Sequence, residues 1–257
     1  MWVDDDGISQ LNLIKLDVDN NPKIANLNHM NKLVKLSADD RECRVNDEGI
    51  SQLNLTELDV GRNPNITNLN HISGLTILKA GYNCGVCDEG ISQLNLTELD
   101  VDCNTKITNL NHMKKLVKLE AGGECGVNDD GISQLNLTEL EVRNNPKITD
   151  VNHMTGLTRL NASGQRCGIG DKGISHLNLM ELYVNDNPKI TNVNHMTKLE
   201  KLSANGDCGI NDLGIMQVNP IELDIFLNKK ITTICHMTRL VKFDGFEPGP
   251  CQILRNF

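Results

Sequence analysis

The segment around Gly7-Ile8-Ser9 returns at Gly49, Gly90, Gly131, Gly173 and Gly214, in steps of 42, 41, 41, 42 and 41 residues. A period that fills nearly the whole of a 257-residue chain leaves few folds open, because each unit must bury its apolar side on the next. Inside each period the pattern Leu-x-x-Leu-x-(Val/Ala) occurs twice, as at Leu96, Leu99, Val101 and then Leu116, Leu119, Ala121. The structural unit is therefore a coil of 20 residues, the A coil, followed by a B coil of 21 or 22. A coils begin near Leu13, Leu55, Leu96, Leu137, Leu179 and Pro220, and B coils near Leu33, Leu75, Leu116, Leu157, Leu199 and Leu240.

A short alternating apolar run once per coil, followed by aliphatic spacing, is the pattern of a leucine-rich repeat. The A coil Leu137-Thr-Glu-Leu-Glu-Val-Arg-Asn-Asn145-Pro-Lys-Ile148 resembles internalin-type repeats. The B coil around Val127-Asn-Asp129-Asp-Gly131-Ile132 is similar to the cysteine-containing repeats of F-box proteins, with Cys125 one place late. The wording of residues 187–196 also resembles arrays of large DNA viruses of amoebae. The resemblance implies an α/β repeat fold: a solenoid with a parallel concave β-sheet and turns or short helices on the convex side. Residues 1–12 read as a partial coil, 13–246 as the solenoid, and 247–257 as a C-terminal cap, where Glu247-Pro-Gly-Pro250 stops the coil.

Each repeated column has a mechanical reading. Asn21, Asn63, Asn104, Asn145, Asn187 and Asn228 follow the A strands, where an amide side chain can bond backbone groups left unpaired by the turn. Asp5, Asp47, Asp88, Asp129, Asp171 and Asp212 suit the N-cap of a short convex helix. The Gly-rich nonapeptide of calcium-binding β-helices is absent. His29, His71, His112, His153, His195 and His236 form a column spaced by two coils, or ~10 Å, so no two can share zinc at ~2.1 Å per bond. The same spacing keeps Cys43, Cys84, Cys125, Cys167 and Cys208 from bridging one another, since a disulfide needs Cα atoms within ~7 Å. No metal or cofactor is expected. Asn54, Asn95 and Asn136 begin glycosylation sequons immediately before strands, where their amides serve the turn.

Information about partners lies on the strands. The third place of successive strands holds Lys15, Lys35, Glu57, Ile77, Glu98, Lys118, Glu139, Arg159, Glu181, Lys201, Glu222 and Lys242. From Glu98 onward the sign alternates, a ladder that sets register at about 0.2 to 1 kcal/mol per neighbouring pair. Two places later stand Asp17, Ser37, Asp59, Lys79, Asp100, Glu120, Glu141, Asn161, Tyr183, Ser203, Asp224 and Asp244. Here acids outnumber lysine and cannot neutralise one another. The candidate partner-binding set is therefore Asp17, Asp59, Asp100, Glu120, Glu141, Tyr183, Asp224 and Asp244, with an apolar addition at Phe226 and Phe246.

These features point to a non-enzymatic module that binds a basic protein partner; the alternative is a structural protein that assembles through its ends or convex face. Catalysis needs unlike groups converging on one point, whereas the ionisable residues here are column members; even His176, off the histidine column, replaces a repeated Gln. A net charge of -9 and seven aromatics in all exclude general nucleic-acid binding. No apolar run approaches the ~20 residues of a membrane span, and the start lacks the basic and apolar regions of a signal peptide. With nine mostly unpaired cysteines, a cytoplasmic, reducing location is expected. The strand near Leu13 to Val18 has only half a coil before it, which makes that edge the candidate for a homodimer.

Overall fold

The computed structural model describes residues 2–245 and divides into two compact units, Met1–Leu135 and Asn136–Phe257. Phe246 and the proposed cap at 247–257 lie outside the described residues.

Unit 1 contains six three-residue strands: β1 (Lys15–Asp17), β2 (Lys35–Ser37), β3 (Glu57–Asp59), β4 (Ile77–Lys79), β5 (Glu98–Asp100) and β6 (Lys118–Glu120). Each pairs in parallel with the next, so that Leu16, Leu36, Leu58, Leu78, Leu99 and Leu119 stand in one row. Unit 2 repeats the arrangement with β7 (Glu139–Glu141), β8 (Arg159–Asn161), β9 (Glu181–Tyr183), β10 (Lys201–Ser203), β11 (Glu222–Asp224) and β12 (Lys242–Asp244). Its central row is Leu140, Leu160, Leu182, Leu202, Leu223 and Phe243. Side chains alternate along a strand, so the central residue points inward while its two neighbours share the outer face. Accordingly Leu78, Leu119, Leu140 and Leu160 are fully buried while the flanking positions are partly exposed. Each buried leucine contributes about 1.5 to 3 kcal/mol of burial free energy.

The opposite side of each coil pair is a single helical turn: Asp5–Ile8, Glu48–Ile50, Glu89–Ile91 and Asp129–Ile132 in unit 1, Asp171–Ile174 and Asp212–Ile215 in unit 2. The glycine in each turn, from which the period is first read, has a packing cause. A Cβ on Gly90 would lie 2.0 Å from the Thr67 carbonyl oxygen, so the turn can pack against its neighbouring coil only without a side chain there.

The Asn column behaves as the sequence implies. Asn63, Asn104 and Asn187 are fully buried. The Asn104 amide donates to the carbonyls of Ala80 (2.7 Å) and Val86 (3.2 Å) and accepts from the Lys106 N–H (2.8 Å). Asn187 does the same with Ala162, Ile169 and Lys189. The turn asparagines before strands also serve the backbone: Asn95 Oδ1 accepts from Lys115 N–H and Asn136 Oδ1 from Gly156 N–H.

The Asp column does something other than cap helices. The capping oxygens belong to Asp4, Asn46, Asn128 and Asn211, each accepting from the glycine N–H three residues on. The column residue reaches instead to the following A coil. Asp88 accepts from both the N–H (2.8 Å) and the hydroxyl (2.6 Å) of Thr108, and Asp47, Asp171 and Asp212 treat Thr67, Thr191 and Thr232 alike. A capping site one residue earlier leaves this carboxylate free to staple neighbouring coils.

The histidines are likewise staples. Nε2 of His29, His71, His112, His195 and His236 donates to the carbonyl oxygen of the isoleucine that ends the preceding helical turn, at 3.0 to 3.3 Å. His176 occupies a glutamine position, its N–H bonded to Asn152 Oδ1 at 2.8 Å as Gln134 N–H is to Asn111.

Candidate functional site

The outer strand face of unit 1 crowds carboxylates together. Asp100, Asp102 and Glu120 each present an oxygen within 4.8 Å of the other two, all partly buried. They come from the end of β5, the first residue of the turn that follows it, and the end of β6, because the parallel register sets Asp100 beside Glu120. Burial raises the Asp100 carboxyl to about 6; the Asp102 N–H opposes this, and the charges of Asp102, Glu120 and Asp59 add to it. Burial also raises Asp59. Such a group exchanges solvation for a cation readily, since an incoming positive charge relieves both burial and repulsion. Three carboxylates at this spacing can hold a lysine or arginine head, or a hard cation.

The candidate set is not uniformly available. Asp17, at the end of β1, is exposed and accepts the Asp19 N–H at 3.0 Å. Asp59 has Lys79 at 3.7 Å, and Glu120 has Lys118 at 2.9 Å. Glu141 is engaged most fully: Arg159 lies 2.6 Å from one oxygen and Arg143 3.9 Å from the other. The expectation that this row lacks counter-charge is therefore corrected at Asp59, Glu120 and Glu141. Lys79 pairs along the row itself, whereas Lys118 and Arg159 reach across from the neighbouring row and Arg143 from the turn, which a count along one row overlooks.

In unit 2 the alternating ladder forms as expected. Arg159 faces Glu139 (3.8 Å) and Glu181 (3.4 Å), and Glu222 lies between Lys201 (3.3 Å) and Lys242 (3.6 Å). Burial, the largest single effect, opposes the charge on Arg159, but the hydrogen bonds and charges of Glu141 and Tyr183 together outweigh it and raise its pKa. The Lys201 hydrogen bond lowers Glu222. Tyr183 is less a free contact residue than part of this lattice: its ring lies 5.0 Å from the Arg159 guanidinium and 5.4 Å from the Lys201 ammonium, and its hydroxyl donates to Glu181 at 2.9 Å. Asp224 accepts from Asn205 Nδ2 (2.8 Å) and the Ser203 hydroxyl (3.2 Å), while Asp244 is exposed at the end of β12. Phe226 is 48% exposed.

Cys43, Cys84, Cys167 and Cys208 are buried free thiols, and Cys125 is buried in the same column. Burial raises Cys43, Cys84 and Cys208 to about 11, which makes them poor nucleophiles. Cys235 departs from the unpaired reading, being disulfide-bonded. Among the described residues, no helix is long and apolar enough to cross a membrane.

No protein-family model matches the chain, and no curated protein does. Solved structures do. An internalin (inlF) from Listeria monocytogenes str. 4b F2365 is 18% identical, with a TM-score of 0.61 over 95% of this chain and 85% of that one. The functional domain of InlJ from Listeria monocytogenes, described as including a cysteine ladder, is 20% identical over 93% of this chain and 59% of that one, with a TM-score of 0.46. The Rad7 and Elc1 complex of yeast gives 17% identity over 91% of this chain and 81% of the matched chain, with a TM-score of 0.42. These neighbours lend no support to the viral likeness of residues 187–196. Identity this low speaks to architecture alone. With the strand register and the asparagine column, the inlF likeness shows that the chain has the leucine-rich repeat solenoid fold found in internalins.

Proposed function

We propose that the chain is a non-enzymatic protein-interaction module whose unit 1 strand face receives a basic partner. The carboxylate cluster of Asp100, Asp102 and Glu120 carries this reading, because it concentrates negative charge where burial already penalises it. Asp59 and Asp17 extend the same face along β3 and β1. Glu141 stands outside the receiving surface, since Arg159 and Arg143 engage it. Fluorescence anisotropy of a labelled lysine-rich peptide tests the proposal. Replacing Asp100 and Glu120 by Asn and Gln should weaken binding about ten-fold and flatten its salt dependence. Equal binding by parent and variant would refute it.

A second reading has its own observation. Ile14 is 66% exposed and Trp2 53%, while Leu16 is only half-buried where Leu58, in the same row of β3, is 1% exposed. Residues 2–12 cover part of this edge, with Val3 carbonyl accepting from Asn21 and Asp5 from Ala25 N–H. We propose that the remaining apolar edge supports a homodimer. Light scattering over a concentration series should show dimer for the parent and monomer for Ile14→Lys; a parent that stays monomeric at high micromolar concentration ends this reading. The cytoplasmic location is carried as a proposal from the buried thiols. Alkylation of rapidly quenched native cells should then trap the partly exposed thiols Cys87 and Cys103 reduced, and their oxidation would place the chain elsewhere.

A further inference from the structure

At the exit of the unit 2 strands a column of polar side chains ties each coil to the next. Ser163 Oγ accepts from Asn185 N–H (3.2 Å), and Asn185 Oδ1 accepts from Asn205 N–H (2.8 Å). Asn205 should continue the series, yet its Oδ1 is buried with no partner. Its orientation is determined by its own amide, since Nδ2 donates to the Asp224 carboxylate at 2.8 Å and a flipped amide would set oxygen against oxygen. An acceptor left bare in this way is costly, so the fold carries a local penalty where the column breaks.

The next residue in that column is Phe226, where polar residues stand in the earlier coils, and it is followed by Leu227. Both are 48% exposed. Leu227 also holds a left-handed backbone, φ 62°, at the place where unit 2 has Asn144 and Asp186, each at φ 55°, in its other A coils and Gly164 and Gly206 in its B coils. A branched apolar side chain gains nothing from that conformation and asparagine tolerates it well, so the backbone favours a different residue from the one present. Acids surround the pair: Asp224 beside it, and exposed Asp207 and Asp244 on the adjoining coils.

We propose that Phe226 and Leu227 form an apolar anchor for a partner segment in which a large apolar side chain stands next to an arginine or lysine, the cation donating to the carboxylates of Asp224 and Asp244. The apolar pair seats the aliphatic or aromatic group, and the two carboxylates, side by side in the parallel register of β11 and β12, supply the complement for the donor. An arginine fork suits two acceptors on adjacent coils. The inference rests on the reading of the chain as an interaction module and adds a second contact, contained in unit 2, with its own side-chain preference.

Panning a random short-peptide library on the full chain tests it, followed by affinity measurements of the enriched peptides against three proteins. Enriched peptides should carry a large apolar residue within two places of Arg or Lys. They should bind Leu227→Asn, alone or with Phe226→Ser, about ten-fold more weakly than the parent, with no fall in melting temperature. They should bind the Asp100→Asn, Glu120→Gln variant as the parent does. Peptides that lack the pairing, or that bind the Leu227→Asn protein unchanged, overturn the anchor. If binding falls only in the Asp100, Glu120 variant, the anchor is wrong and the unit 1 reading stands. If neither variant loses binding, both are wrong.

Discussion

In unit 2 the leading row of the strands alternates Glu139, Arg159, Glu181, Lys201, Glu222 and Lys242, whereas unit 1 opens the same row with two adjacent lysines and interrupts it with Ile77. The backbones are the same, strand for strand. What differs is whether a given carboxylate finds a cation within reach: Glu57 and Glu120 in unit 1 do, through Lys35 and Lys118, but among the described residues Asp100 does not. Glu222 does, and its pKa falls. Asp100 has acids beside it, and its pKa rises to about 6. The unit 2 ladder spends its charges on internal order, whereas the unit 1 face keeps at Asp100 a charge whose burial a partner can relieve. The interior columns should be indifferent to this contrast, and the outer rows should show it with opposite sign.

The largest effect therefore serves as the control. Asn104→Ala in unit 1 and Asn187→Ala in unit 2 each remove the amide donor to two buried carbonyls and the acceptor of a part-buried N–H, Ala80 keeping only the weak Cys84 thiol donor. Each should cost about 2 to 4 kcal/mol by urea denaturation. The two losses should agree within about 1 kcal/mol if the units differ only at the surface. A larger gap would break the comparison.

Next comes the acid–base contrast. Because the folded Asp100 carboxyl has a raised pKa, the native state binds its proton more tightly than the unfolded chain. Its ionisation therefore costs stability as pH rises from about 4 through 6, and the penalty is complete above that. Asp100→Asn should stabilise the protein by about 1 to 2 kcal/mol at pH 8, a value discounted for partial solvent screening, and by nothing near pH 4. Glu222, with a lowered pKa, must behave in reverse: Glu222→Gln should lose stability at neutral pH, and the loss should fade as pH falls through the carboxylate range. Parallel pH profiles for the two variants would contradict the contrast. The same titration predicts that a basic peptide binds unit 1 more weakly below pH 6 than above it.

Arg159 sharpens the comparison within unit 2. It touches Glu139, Glu141 and Glu181 and lies over Tyr183. Arg159→Met should destabilise by about 1 kcal/mol, while Lys79→Met in unit 1, whose 3.7 Å contact to Asp59 is long and exposed, should change stability by less than about 0.5 kcal/mol. Equal losses would mean that the ladder does no more than isolated surface pairs do.

How much of this was legible depended on whether a residue's neighbours are set by the period. Leu99, Asn104 and His112 meet the same partners in every coil, so one reading of the spacing applies throughout. The Asp column repeats as strictly, yet its role was misread, because the cap sits one residue earlier at Asn46 or Asn128 and the carboxylate turns to Thr67 or Thr108. Periodicity places a residue without saying which way it faces across the coil boundary. The ion pairs of Glu141 and the stacking of Tyr183 were hidden for a different reason: they depend on long side chains crossing between rows, and such reach is a property of rotamers. Asn205 Oδ1 was hidden too, since only a break in the staple column exposes it.

The smallest effect asks whether unit 2 also carries a function at the expense of its own stability. Leu227 in unit 2 and Asn20 in unit 1 hold the same left-handed conformation, φ 62° and 58°, at corresponding places in their coils. Asparagine enters that region easily because its short amide bonds the local backbone, whereas leucine meets its own carbonyl. Leu227→Asn should therefore stabilise by about half a kcal/mol, the relief of strain being partly offset by lost apolar contact, and Asn20→Leu should destabilise by about as much. Paired melting curves of the two variants decide the matter. If Leu227→Asn stabilises and also weakens the peptides selected on the parent, the leucine is kept for contact rather than for folding. If it destabilises, Leu227 is packed into the fold, and the case for an anchor at the end of unit 2 is lost.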